Sequence, residues 1–156
     1  MKITLIFFFL ALLVRIIFIF FQGSSIEQYL IEDELMYWDN SLSFLRTGIL
    51  NKDILYERMP SIFIYYKILL WLTSENLKIL LYIQAVIDTI SCFMLYRISC
   101  LIAPRLKFFL YGFAALSPLM IILSSQVLSE TIFLFFFTFF IYFSVKVIMP
   151  QKNFFY

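Results

Sequence analysis

The chain has 156 residues, of which 63% are hydrophobic and 21% aromatic, against roughly 45–50% apolar in a soluble domain. Together with a mean hydropathy of +0.96, this describes an integral membrane protein and excludes an ordinary soluble fold. Twelve Lys and Arg against ten Asp and Glu give a net charge of +2, no field for a polyanion, and argue against nucleic-acid binding. With no histidine, His-ligated zinc, iron and haem and every Ser-His or Cys-His catalytic pairing are excluded. Acid-base chemistry falls to carboxylates, Tyr or Lys.

In chain order, the first element is an apolar run, Ile3 to Phe21, long enough to cross a bilayer. Lys2, this run and the small residues Gly23, Ser24 and Ser25 also have the order of a signal peptide, but the run is too long for a typical apolar signal core. Residues 23–76 form the one long polar stretch and hold eight of the ten acids: Glu27, Glu32, Asp33, Glu34, Asp39, Asp53, Glu57 and Glu75. Inside it, a helix near 32–46 is predicted from Leu35, Trp38, Leu42 and Leu45 recurring on one face, and Thr47-Gly48 stops it. Asn51-Lys52-Asp53 reads as a turn. A second helix, near 60–73, begins at Pro60 and is strongly apolar, but its thirteen residues from Ser61 span only about 20 Å, short of a roughly 30 Å hydrocarbon core. It is expected at the membrane surface, with Tyr65, Tyr66 and Trp71 in an interfacial belt and Lys67 reaching the headgroups.

Three further spans follow: Leu77 to Cys100, Leu106 to Ser124, and Leu128 to Ile148. The expected fold is therefore all-α: a multi-pass cell-membrane protein of four transmembrane helices, with an outer loop carrying two interfacial helices. Lys2, Arg97, Arg105, Lys107, Lys146 and Lys152 lie at one set of span ends without acidic neighbours. The positive-inside rule puts those ends and both termini in the cytoplasm, and the acidic loop and the turn 124–130 outside. Cys92 and Cys100 stand eight residues apart on one predicted helix, about 12 Å, too far for a disulfide, and read as lipid-facing or packing thiols.

The densest polar feature is Glu32-Asp33-Glu34, followed by Tyr37 and Asp39. Adjacent carboxylates repel, which suits a general base or a cation ligand. Equally, acids at a helix start favour the positive end of its dipole. Glu130 opens the last span, where a carboxylate bordering hydrocarbon is costly unless it faces water or a protein cavity; it too reads either as a functional group or as a helix-start charge next to Ser129. Arg58, ahead of Pro60, is placed to meet a lipid phosphate, whether of a bound ligand or of ordinary headgroups. Arg15 and Asp88 are the intramembrane charges. Each needs a partner, and they pair with one another if their helices pack, a structural role.

These motifs, in this order, resemble the N-terminal part of GT-C glycosyltransferases, the polytopic enzymes grouped with protein O-mannosyltransferases and the lipid A aminoarabinose transferase. The resemblance lies in Asp33-Glu34-Leu35-Met36-Tyr37 after the first span, Thr47-Gly48, Arg58-Met59-Pro60 leading to Ile64-Tyr65-Tyr66, Ala115-Leu116-Ser117-Pro118, and Ser129-Glu130-Thr131. It implies transfer of a sugar from a polyprenyl-phosphate donor to an acceptor at the extracytoplasmic face of the bilayer. It also implies that Asp33 is the catalytic base or a metal-site residue, that Glu34 and Glu130 support it, and that Arg58 contacts the donor phosphate. A divalent metal ion would then be held by Asp33 and Glu130. Where this chain has Met59-Pro60, the family often has Pro-Pro. The likeness covers about the first third of such an enzyme, implying a truncated product or an N-terminal module that needs a C-terminal partner chain. The reading from another class is a non-catalytic small multi-pass scaffold or subunit.

Overall fold

The computed structural model describes residues 2–22, 30, 32–50 and 58–149, with side chains from Thr4 onward. The expected turn at 51–53, and Glu27, Glu57 and Lys152, lie outside the described residues. Every regular element among the described residues is helical: α1 (Lys2–Phe21), α2 (Asp33–Thr47), α3 (Pro60–Leu72), α4 (Leu77–Ile102), α5 (Lys107–Leu116), α6 (Pro118–Ser124) and α7 (Glu130–Ile148), with a 3-10 turn at Pro104–Leu106.

Among the described residues, α1, α4 and α7 are long and apolar enough to cross a bilayer. The expected single span at 106–124 is instead broken. Pro118 has no N–H to continue a helix and forces its predecessor out of the helical region, so α5 ends before Ser117 and α6 restarts at a 50° bend. Counted as one broken span, the pair makes four.

α4 is the hub, with α1, α5, α6 and α7 packed on it, whereas α2 packs chiefly on α3. In its most apolar stretch α4 is 44% buried, against 17% for α1 and 11% for α7. The outer helices turn large apolar side chains away from the protein, such as Phe113, 72% exposed, and Phe140, 69% exposed. Such a surface is tolerable where the surroundings are lipid.

α1 and α4 run antiparallel. Thr4 hydrogen-bonds Tyr96 near one end, and Lys78 stands over the Phe20 ring near the other. Between them, fully buried Arg15 forms an ion pair with Asp88 at 2.6 Å, as their placement in facing spans predicts. Arg15 also donates to the Ala11 carbonyl (3.0 Å), the Ala115 carbonyl (2.9 Å) and Cys92 Sγ (3.3 Å). Ala115 lies in the last turn of α5, where carbonyls lack intrahelical donors, so the guanidinium satisfies backbone that the Pro118 break has orphaned. Small residues around it, Ala11, Ala114, Ala115 and Cys92, bring the backbones close enough for these bonds. Cys92 is thus a packing thiol beside a charge.

The larger core lies toward the α2 and α3 end and joins Tyr37, Trp38, Phe63, Tyr66, Leu70, Leu80 and Val127. α3 begins at Pro60, as expected, but its tyrosines do not form a belt. Tyr66 is fully buried in this core while Trp71 is 68% exposed, and Lys67 sits over the Phe44 ring at 3.7 Å. α2 turns Trp38, Leu42 and Leu45 to the core as expected, but the buried face also takes in Glu34, Tyr37 and Ser41 and leaves Leu35 exposed.

Candidate functional site

The turn between α6 and α7 is the point on which this end of the molecule converges. Its backbone has left the helix, so its polar groups need partners, and side chains from four helices supply them. Glu34 of α2 accepts from the Val127 N–H (3.1 Å), and Tyr66 of α3 donates to the Leu128 carbonyl (2.7 Å). Gln84 of α4 donates to the Gln126 carbonyl (3.2 Å) and to the Tyr66 hydroxyl (3.2 Å). Thr131 of α7 donates to the Leu123 carbonyl (3.1 Å). Burial raises the Tyr66 pKa, and the charges of Tyr65, Glu130 and Glu34 raise it further, against a lowering by Gln84, so Tyr66 stays a donor.

Beside this turn, α3 and the start of α7 enclose a groove of about 780 Å³. Its walls are apolar, including Ile64, Ile68, Ile132 and Phe136, and its polar lining comes from Arg58, Tyr37, Tyr65, Ser61 and Ser129. Arg58 donates to Asp33 Oδ1 at 3.0 Å; both side chains are well exposed. The Tyr65 hydroxyl is buried with no hydrogen-bond partner among the described residues, and burial raises its pKa.

All four sequence-predicted residues lie at this end, in distinct settings. Asp33 and Arg58 are directly bonded at the groove. Glu34 is buried and turned to the Val127 amide, away from the exposed Asp33 side chain that precedes it. Glu130 is exposed at the first position of α7, where it accepts from the Ser129 hydroxyl at 3.3 Å. Among the described residues no three Asp, Glu, Cys or His side chains are grouped so as to hold a metal ion. Asp33 and Glu130 are only two carboxylates, at most four of the roughly six to eight oxygen ligands a hard divalent cation takes.

Sequence reasoning passed over Gln84, and it read Tyr65 as an interfacial ring and Ser129 as part of a helix start rather than as groove-lining residues. A glutamine inside an apolar span is a signal in its own right, because its amide must find partners there. The buried Tyr65 hydroxyl and the groove itself depend on how α3 meets α7, which no local pattern encodes.

Fold and site together define a helical protein with three to four apolar helices able to span a membrane and a polar-headed groove at one end. No protein-family model, no curated protein and no solved structure matches the chain.

Proposed function

We propose that the chain is a glycosyltransferase-like membrane protein that holds a polyprenyl-phosphate-linked sugar in the α3–α7 groove and contributes to moving the sugar onto an acceptor hydroxyl at the extracytoplasmic face. The observation that carries this reading is an apolar groove ending at an Arg58–Asp33 pair. An apolar chain fits the walls and a phosphate fits the guanidinium. The pair is exposed on both sides, and such pairs contribute about 0–1 kcal/mol, so Arg58 exchanges its carboxylate for a phosphate at little cost. That exchange frees the Asp33 carboxylate to take the proton of an acceptor hydroxyl as its oxygen bonds the sugar's anomeric carbon. The bond from that carbon to the phosphate oxygen breaks, and Arg58 stabilises the departing lipid phosphate. Ser129 lines the groove and offers its hydroxyl to the donor. Glu34 holds the α6–α7 turn in place and acts as a positioning residue, and Glu130 follows the groove-lining Ser129 at the start of α7. No step is routed through a metal ion.

The charge distribution supports the sidedness: among the described residues, Arg97, Arg105, Lys107 and Lys146 lie toward the end opposite Asp33 and Glu130. This reading puts that basic end in the cytoplasm, with both termini.

The test is sugar transfer from a polyprenyl-phosphate donor in proteoliposomes containing the chain with any partner chain that completes it. Asp33→Asn should lower the rate at least about 100-fold, the usual worth of a general base, with donor binding retained. Unchanged transfer would overturn the catalytic reading and favour the non-catalytic subunit, to which the structural use of Glu34 lends support.

A further inference from the structure

At the end of the bundle away from the groove just described, a second cavity of about 390 Å³ lies where α4, the turn after it, and α7 meet. Arg97 of α4 and Lys107 at the start of α5 line it, with Tyr96, Tyr142 and Pro104. At the other end each arginine has a carboxylate, Arg46 with Glu75 and Arg58 with Asp33. Among the described residues neither Arg97 nor Lys107 pairs with a carboxylate, Lys107 standing instead 5.4 Å from the Phe108 ring, and no acid lies on α4 beyond Asp88, on α5, or on α7 beyond Glu130. Two uncompensated cations facing one cavity repel each other and attract an anion.

Depth selects the kind of anion. Arg97 stands twenty residues along α4 from Leu77, about 30 Å of helix, the thickness of a hydrocarbon core. The cavity therefore lies at headgroup level. Tyrosines there present a ring to the acyl boundary and a hydroxyl to the headgroup. The next residues along the same helices, Ile102 after Leu101 and Phe143 after Tyr142, are exposed and apolar.

We infer that Arg97 and Lys107, framed by Tyr96 and Tyr142, form a binding site for the headgroup phosphate of an anionic phospholipid at the end opposite the candidate sugar-transfer groove. The ligand is a lipid of the surrounding leaflet rather than a soluble ion: its phosphate bridges the two cations and its acyl chains run along the outer faces of α4 and α7.

The test uses the full chain in detergent, with retained lipid counted by native mass spectrometry. Phosphatidylglycerol should be retained in preference to phosphatidylcholine. Arg97→Gln with Lys107→Gln should lower phosphatidylglycerol affinity about tenfold, the scale of a lost charge-assisted contact. The charge-keeping Arg97→Lys should retain most of it. Arg105→Gln, which removes a neighbouring charge outside the cavity, should leave it within about twofold. Circular dichroism checks that each variant is helical; if the double variant does not fold, Arg97→Gln alone carries the prediction with a smaller loss. Unchanged retention in the double variant, equal retention of phosphatidylcholine, displacement by millimolar inorganic phosphate, or an equal loss in Arg105→Gln would each overturn the proposal.

Discussion

Arg15 and Asp88 show how a residue expensive in isolation becomes structural. Each charge is withdrawn from solvent, and their pair is completed by two backbone carbonyls and a thiol. Removing one partner strands the other, so Asp88→Ala should destabilise the protein by about 3–5 kcal/mol, whereas replacing both with leucine should recover most of the loss. Chemical unfolding in detergent measures both. Tyr65 makes a contrasting case. Burial raises its pKa above the ordinary 10.0, so its contribution to stability is fully present below pH 10 and is lost as the pH rises beyond it, where the unfolded chain ionises and the folded one resists. Because its buried hydroxyl has no partner among the described residues, Tyr65→Phe should raise stability at neutral pH by about 1 kcal/mol, the desolvation cost it removes. It should also reduce the loss seen above pH 10 in an alkaline unfolding series.

At the scale of elements, the helix ends were legible where local chemistry sets them. Gly48 ends α2 at φ 73, with its N–H bonded to the Phe44 carbonyl at 3.1 Å. A Cβ there would meet no atom within 4 Å, so the cost of a side chain is conformational alone. Gly48→Ala should lower the stability of the α2 region by about 1 kcal/mol, and Gly48→Asn by less, as read by hydrogen exchange of α2 amides. The buried face of α2 was legible in Trp38, Leu42 and Leu45, which meet the core, but not at Leu35 or Glu34. Hydrophobic periodicity assumes that apolar residues seek the interior, but where the surroundings are lipid Leu35 can face outward while Glu34 turns inward to a backbone amide. The break before Pro118 carried a visible signal, the proline itself, outweighed by the continuous apolar run around it. Nor did any local pattern link Glu34 to Val127, 93 residues away.

Across the whole molecule, charge separation was readable from the sequence alone. Asp33, Glu34, Arg58 and Glu130 gather at one end, as their positions relative to the spans require, and the Arg15–Asp88 pair joins α1 to the hub helix between the two ends. The groove between α3 and α7 was not readable, because it is made by two elements about seventy residues apart, and on it the functional reading depends. The most direct measurement is therefore binding of a polyprenyl phosphate to the intact chain in detergent, comparing the wild type with Arg58→Gln. The wild type should bind it, and Arg58→Gln should weaken that binding about tenfold while leaving helicity unchanged. Equal affinity in the two proteins, or no binding to either, would contradict a lipid-phosphate site in this groove.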